Sequence, residues 1–384
     1  MSHAFNDWNV MPEHSNRIYQ ALKEKGVPLQ VYYHQGGHGG LPPFKLMNRW
    51  FTRYLHGVEN NVEKDARAWI VREGGDRNKP KPYEDYPNPA ASPVTFKLIA
   101  GAPEMGKLTI ATNSNQGTET VVDNFSFNGS ALAQADWTEH RLMYLTEKLT
   151  EAVHLSGTPR ITIKLACNKT TANLSIWLVS LPWNANKNAK ITENIITRGW
   201  ADPQNHRSLT ESEPLVPGRF YDMTFDLQPD DQVIPVGQQI GLMIMSSDRE
   251  FTLRPDPGTE LTIDLDETSI QLPLVGGAKA FAKAVTKKTQ KKNNKSKKTA
   301  SSTVSNSVSS SVSSSVSSSV SYVVKDTDRG ELHYKNANGE AALKVISSDG
   351  KVVFDGSINT KKQKSKVPRE AMKWYEEVNR KIKK

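Results

Sequence analysis

The sequence predicts an α/β segment, then an all-β sandwich, then a disordered linker, and finally a small module in which a three-stranded meander precedes a helix. Three observations support this order. A helical pattern and an apolar run stand near the start, short alternating runs recur through the middle, and a nearly pure serine stretch precedes the last part. The predicted boundaries are 1–72, 73–277, 278–321 and 322–384.

The α/β segment is predicted from two helices and one buried strand. A helical pattern covers His14 to Lys25, and Gly26 follows it as a stop signal. The apolar run Leu29 to Tyr33 is typical of a strand buried on both faces. A second helix is predicted from Phe44 to His56. Its apolar residues at helical spacing are interpreted as core, and they are Met47, Trp50, Phe51, Tyr54 and Leu55.

The sandwich is predicted from repeated short strand patterns between turn signals. Residues 73–90 are rich in Pro, Gly and charge and are interpreted as a connector. From Val94 to about Val275 the runs favour strands, as in Ile161 to Leu165. Four tryptophans in this part suit either a carbohydrate-binding face or a core, and the core is favoured. They are Trp137, Trp177, Trp183 and Trp200.

The C-terminal parts differ in composition from the rest. Residues 278–300 carry nine Lys and no acidic residue, which suits either an anionic partner or, as favoured here, a solvated tail. Valine then recurs every fourth residue from Val304 to Val320 within serine, a composition that cannot form a core. In 322–384, Asn338-Gly339 and Asp349-Gly350 predict hairpin turns, and Pro368 opens a predicted helix.

Charge and composition exclude several functions. The net charge of +9 comes from the C-terminal parts, so we predict neither a nucleic-acid nor a membrane partner for the folded body. One cysteine, Cys167, excludes an internal disulfide bond, and no long apolar run or signal peptide is present, which favours a cytoplasmic protein. No metal-ligand spacing occurs, and we expect neither a metal nor a cofactor.

Two residues near the start are predicted to form the acid–base half of a serine-hydrolase triad. Asp7 stands in His3-Ala-Phe-Asn-Asp7-Trp-Asn-Val10, and His38 stands in His34-Gln-Gly-Gly-His38-Gly-Gly40. One helix and one strand separate them, as between the acid and the base of an α/β-hydrolase. The surrounding glycines allow positive φ. The alternative is a turn-capping Asp7 and a solvated His38, and the pairing favours the triad.

The nucleophile of such a triad is not found in this sequence. A Gly-x-Ser-x-Gly elbow should precede the acid, but Asp7 follows almost directly on Met1 and no such pattern occurs downstream. Ser130 follows Gly129, yet Asn128 and Leu132 stand where the pattern requires glycine. We therefore expect the chain to be inactive alone.

Several segments resemble the Xaa-Pro dipeptidyl-peptidases of lactic acid bacteria, serine peptidases that release X-Pro dipeptides from N-termini. The resemblance covers about residues 2–277. The matching segments are His3 to Val10, Tyr33 to His38, Trp69-Ile-Val-Arg-Glu73, Ile196-Thr-Arg-Gly-Trp-Ala-Asp-Pro203 and Val236 to Asp248. It implies that Asp7 is the triad acid and His38 the base, that 1–72 ends an α/β-hydrolase catalytic domain, and that 73–277 is a jelly roll.

The resemblance implies a peptide substrate with proline at its second position. The N-terminal part of the family's enzyme, which carries the serine, is then an expected partner. The alternative function is a non-catalytic binding or scaffold protein in which the sandwich and the terminal module recognise a partner.

Overall fold

The chain forms two compact units, Met1–Lys292 and Asn293–Lys384. The computed structural model describes residues 1–112, 114–183, 194–286, 319–326, 329–337 and 340–382. Each unit has a hydrophobic core of its own.

The first unit begins with a four-stranded sheet. Its strands are β1 (Ser2–Ala4), β2 (Val31–His34), β3 (Ala68–Val71) and β4 (Lys81–Tyr83). They lie in the order β1-β2-β3-β4, with β1, β2 and β3 parallel and β4 antiparallel. Helix α1 (Pro12–Glu24) follows β1, and helix α2 (Phe44–Tyr54) follows β2. The sheet thus extends past residue 72 into the predicted connector.

Aromatic side chains form the core of this sheet. Phe5 stacks on Tyr33 with ring centroids 4.8 Å apart, and Tyr86 lies 5.0 Å from Tyr33. Tyr19 of α1 is fully buried in the same cluster. The amphipathic pattern of α1 therefore corresponds to a helix that covers the sheet.

The prediction that the apolar face of α2 is core is wrong. No residue of α2 is buried, and Phe51 and Leu55 are 50% and 72% exposed. The helix is attached through polar contacts instead, because Arg49 donates to both oxygens of Asp65 at 2.8 and 3.0 Å. The periodicity identified the helix but not what covers it.

The rest of the described first unit is mostly β, as predicted, with two short helices. We call residues 91–285 the β domain. Its strands are β5 (Ala91–Ile99), β6 (Gly106–Thr109), β7 (Thr118–Val122), β8 (Leu142–Leu145), β9 (Val153–Gly157), β10 (Arg160–Cys167), β11 (Leu174–Leu181), β12 (Ile195–Ala201), β13 (Phe220–Asp226), β14 (Asp230–Ile234), β15 (Gln239–Met245) and β16 (Glu260–Val275). A short helix α3 (Gly129–Gln134) precedes β8.

These strands join into one continuous hydrogen-bonded sheet, and the β domain has a large hydrophobic core cluster and a smaller one around Trp177. The main path runs β12-β11-β15-β8-β6-β5-β16-β10-β13, while β7 and β9 pair with β16 and β14 pairs with β9. The pairs are antiparallel except for β6 with β8. Cys167, at the end of β10, is a free thiol buried in this core.

Helix α4 (Gly277–Val285) completes the β domain. Phe281 is 3% exposed and packs edge-on against Phe96 of β5, with ring centroids 4.7 Å apart. Residues 278–285, which were predicted to begin the linker, therefore belong to the folded body. The Lys-rich run beyond residue 286 and the valines from Val304 to Val316 lie outside the described residues.

The second unit is a meander of four antiparallel strands followed by helices. Its elements are β17 (Ser319–Asp326), β18 (Gly330–Ala337), β19 (Glu340–Ile346), β20 (Val352–Ser357), α5 (Lys361–Lys364) and α6 (Arg369–Ile382). Trp374 and Tyr375 of α6 pack with Leu332 and Leu343 in its core. The predicted strands and helix are present, and one further strand, β17, begins inside the predicted linker.

Candidate active site

The candidate acid, Asp7, lies in a turn directly after β1. We call residues 5–10 the acid loop. Asp7 is 4% exposed, and its Oδ1 accepts hydrogen bonds from the backbone N–H groups of Asn9 and Val10 at 3.1 and 3.0 Å. Its Oδ2 lies 2.9 Å from Nδ1 of His38. The structure therefore brings the two predicted site residues together.

The ionisation of Asp7 is controlled by its partners. Burial raises the pKa of this carboxyl, but hydrogen bonds from Val10, His38 and Asn9 outweigh burial and hold the pKa below its ordinary value. A charged Asp7 favours the imidazole tautomer that carries its proton on Nδ1.

The candidate base, His38, lies in the loop that follows β2. We call residues 35–40 the base loop. The His38 side chain is 61% exposed, and its Nε2 makes no hydrogen bond to any residue that the structure describes. An imidazole with Nδ1 on a carboxylate and Nε2 open has the geometry of a general base.

The glycines of the base loop serve two purposes. Gly39 and Gly40 have φ of +88° and +123°, as the sequence predicted. Gly36 has no such φ, but a Cβ there would collide with the guanidinium of Arg77. Gly36 therefore provides space rather than an unusual backbone angle.

A second histidine, His3, supports the acid loop and was not singled out in the sequence. Nδ1 of His3 lies 2.6 Å from Oγ of Ser15, and its Nε2 lies 2.8 Å from the carbonyl oxygen of Val10. His3 therefore connects β1, α1 and the end of the acid loop.

A buried polar network joins the first sheet to the β domain. Oδ1 of Asp231 accepts from Nε of Arg72 at 2.9 Å and from the hydroxyl of Tyr83 at 3.1 Å, and it lies 3.0 Å from Nε2 of His154. Burial raises the pKa of Asp231, but His154 and the other partners outweigh it and lower the pKa. Complete burial instead raises the pKa of Asp230 well above its ordinary value.

Of the four tryptophans interpreted as core, the structure buries Trp177 alone. Trp137 is 60% exposed, while Trp183 and Trp200 are partly exposed. Trp177 and Trp200 both donate through Nε1 to Oδ2 of Asp248, at 2.8 and 3.1 Å. They hold a buried carboxylate next to the acid loop, a role that residue type alone does not reveal.

Among the described residues, no cluster of His, Cys, Asp and Glu is placed to hold a metal ion. In the same residues, no helix is long and apolar enough to cross a membrane.

Comparisons with known proteins identify the family of this chain. The sequence model of the X-Pro dipeptidyl-peptidase C-terminal non-catalytic domain matches residues 60–304, which is more than half of the chain. The chain therefore belongs to that family. Asp7 and His38 precede the matched region.

Three relatives are also similar to this chain. A putative Xaa-Pro dipeptidyl-peptidase of Rhodopirellula baltica is 64% identical over 277 residues, covering 72% of this chain and 44% of the relative. A protein of the same name from Bacillus anthracis is 34% identical, covering 71% and 44%. An Xaa-Pro dipeptidyl-peptidase from a lactic acid bacterium, Lactobacillus delbrueckii, is 25% identical. The chain thus spans less than half of these relatives' length.

Solved hydrolase structures share the fold. An aminopeptidase from a Thaumarchaeota archaeon superposes with a TM-score of 0.55 at 14% identity, covering 71% of this chain and 54% of its own. An α-amino acid ester hydrolase gives a TM-score of 0.53 at 15% identity with the same coverage. At these identities the likeness concerns the fold alone.

Proposed function

We propose that this chain is the C-terminal part of a serine peptidase that releases X-Pro dipeptides from peptide N-termini. In this proposal Asp7 and His38 are the acid and base of the triad, and the serine comes from a hydrolase portion that this sequence does not contain. The observation that carries the proposal is the 2.9 Å contact between Asp7 Oδ2 and His38 Nδ1, made by an imidazole whose other nitrogen is open.

The chemistry assigns one role to each residue. Nε2 of His38 takes the proton of the serine hydroxyl as that oxygen attacks the carbonyl carbon of proline, and then returns it to the leaving amine of the next residue. Asp7 holds the ring orientation and stabilises the imidazolium that forms. In the second half of the reaction, His38 activates the water that cleaves the acyl-enzyme.

Two features of the first sheet support a hydrolase portion as partner. β1 is an edge strand of the described sheet and pairs in parallel with β2 alone. The apolar side chains on and just before α2 are uncovered, with Phe44 76% and Leu41 77% exposed. A parallel strand added beside β1, with its own helices, would bury these groups as α/β sheets require. The relatives, more than half of whose length lies outside the match, have room for such a portion.

The second candidate function is a non-catalytic binding or scaffold role. The family is described as a non-catalytic domain, and the chain carries a separate second unit of its own. These two observations favour that role if no hydrolase portion associates with the chain.

The first proposal also includes a jelly-roll topology for the β domain and a cytoplasmic location. The single free thiol supports the cytoplasmic location.

The test is a chromogenic assay with an Ala-Pro anilide. The purified chain is assayed alone and mixed with the part of the Rhodopirellula baltica relative that this chain does not span. We expect activity in the mixture alone. Asp7→Asn should lower kcat by about 10⁴-fold, because the wrong imidazole tautomer then prevails.

The control for His38→Ala is His14→Ala, since His14 is exposed on α1. The control should leave kcat unchanged, while His38→Ala should remove activity. Hydrolysis by the chain alone, together with labelling of that chain by a serine-reactive phosphonate, would refute the proposal. An inactive mixture would favour the binding role.

A further inference from the structure

The two residues on either side of Asp7 are both connected to the β domain, Asn6 through Gln35 and Trp8 through Arg198. We infer that the β domain sets the relative position of Asp7 and His38 through two separate ties, one at Asn6 and one at Trp8. The inference rests on the proposed function, because it treats the two residues as the acid and base of a triad. It makes the side chains of the ties positioning residues, although the family is described as non-catalytic.

The first tie is a chain of amide hydrogen bonds. Nδ2 of Asn6 donates to Oε1 of Gln35 at 2.8 Å, and Nε2 of Gln35 donates to Oδ1 of Asp230 at 2.7 Å. Nε2 of Gln35 also donates to the carbonyl oxygen of Asp231 at 3.1 Å. Asn6 belongs to the acid loop and Gln35 to the base loop. Asp230 of β14 thus holds the base loop through the Gln35 amide, and the same amide holds Asn6 of the acid loop.

The second tie is a guanidinium between aromatic rings. Cζ of Arg198, on β12, lies 4.7 Å from the ring of Trp8, 4.1 Å from that of Trp177 and 4.9 Å from that of Phe251. A cation over an aromatic face is attracted by the ring quadrupole, most strongly where water is excluded. Arg198 is 6% exposed, so the contact with Trp8 is of the strong kind.

The second tie contains polar atoms without partners. Nε and Nη1 of Arg198 and Oδ1 of Asp248 are buried and make no hydrogen bond. Buried charged groups with incomplete hydrogen bonding cost more than apolar side chains of the same size. A core built for stability alone would not need them, whereas a core that has to stack a planar cation on Trp8 would.

The ties matter because general-base catalysis depends on distance. A displacement of about 1 Å at a reacting group lowers the rate by about 10²-fold. Asp7 and His38 lie on two loops, and loops are the mobile parts of a fold. Strands β12 and β14 belong to a large packed core, which is rigid by comparison.

The test uses the Nδ1–H proton of His38 in the ¹⁵N-histidine-labelled full chain, followed by NMR. We expect this proton to exchange slowly with water while the N–H donates to Oδ2 of Asp7, and faster when that hydrogen bond breaks. We expect Gln35→Met and Arg198→Met each to speed its exchange at least fivefold, and the double variant to remove the signal. Arg160→Met, at an exposed arginine of the β domain, should leave the exchange rate unchanged.

A conservative pair separates positioning from general stability. Asp230→Asn keeps an oxygen acceptor for Gln35 and should preserve the exchange rate, while Asp230→Leu should speed it as Gln35→Met does. Circular dichroism checks that each variant folds. If Arg198→Met does not fold, Trp8→Leu removes the same tie from its partly exposed end and is measured instead. A folded double variant with the wild-type exchange rate would overturn the inference.

A kinetic measurement in the mixture complements the NMR test. There the tie variants should lower kcat by about tenfold to a hundredfold with little change in KM, because substrate contacts are untouched. An inactive mixture would contradict the proposed function, yet the exchange of the His38 proton in the chain alone would still decide the inference.

Discussion

His34, the last residue of β2, is a buried histidine that the proposed chemistry does not use. It is 1% exposed, its Nδ1 accepts from the N–H of Gly36 at 3.0 Å, and its Nε2 has no partner. Burial and the nearby charge of Arg77 lower the pKa of His34 to about 4. The ring is therefore neutral in the folded chain at neutral pH.

The shift at His34 makes stability depend on pH. The unfolded chain takes up a proton near pH 6.5, whereas the folded chain does so only near pH 4. As the pH falls between these values, the free energy of unfolding should decrease by up to about 3 kcal/mol. His34→Asn keeps an acceptor for Gly36 and removes the titration, so its stability should fall less steeply in urea unfolding measured from pH 7 to pH 4.5.

The comparison needs a surface control because other ionisable groups also make the free energy of unfolding depend on pH. His56→Asn changes an exposed histidine and should keep the pH dependence of the wild type. If the free energy of unfolding of His34→Asn and of the wild type fell equally with pH, a residue other than His34 would be responsible for the proton uptake on unfolding.

At the residue scale, the sequence predicted that Asp7 and His38 lie together but not which residues support them. Asp7 and His38 were predicted because motif order and glycine content constrain them locally. Gln35 and Asp230 are 195 residues apart, and nothing in the pattern around either indicates the other. Trp8 and Arg198 were missed for the same reason, since a cation–aromatic contact requires the fold to bring two distant side chains together.

Helix α2 is the element whose surroundings differ most from expectation. Its exposed apolar residues suit an interface. Because they are exposed, substitutions there should change the chain's own free energy of unfolding by no more than about 0.5 kcal/mol. We expect Phe51→Ser with Leu55→Ser to weaken binding of the hydrolase portion at least tenfold in calorimetric titration. The reason is the loss of two large apolar contacts.

Leu209→Ser is the matched control for these substitutions. Leu209 is 91% exposed in a loop of the β domain. It should not change the affinity. Unchanged affinity in the α2 double variant would mean that the hydrolase portion, if it binds, contacts another surface.

Element types were predictable wherever periodicity was strong. Helix α1 follows from apolar spacing, strands such as β10 and β11 follow from their β-branched content, and helix α6 follows from Pro368 as a helix start. Strand β17 did not, because its first residues continue the serine and valine repeat. Helix α4 was not predicted because the lysines around it were interpreted as part of a linker, although Phe281 packs into the core.

For the whole chain, two units with separate cores predict two thermal transitions. The second unit is small, and domains of about 60 residues are marginally stable. Trp374 is 6% exposed in its core, so Trp374→Ala should destabilise that unit by about 3–5 kcal/mol and lower or remove the lower transition alone in differential scanning calorimetry.

Ile263→Val in the β domain is the counterpart of that variant. Ile263 is fully buried, and the change should lower the upper transition alone, at a cost of about 1 kcal/mol. A single transition that moves with both variants would show that the units unfold together.

The buried thiol of Cys167 can report opening motions of the β domain. Cys167 is 2% exposed, and burial raises the pKa of its sulfhydryl, so the native chain offers almost no thiolate to an alkylating reagent. Modification then requires β10 to detach from its neighbours. The rate of alkylation at this atom therefore reports how often the β domain opens.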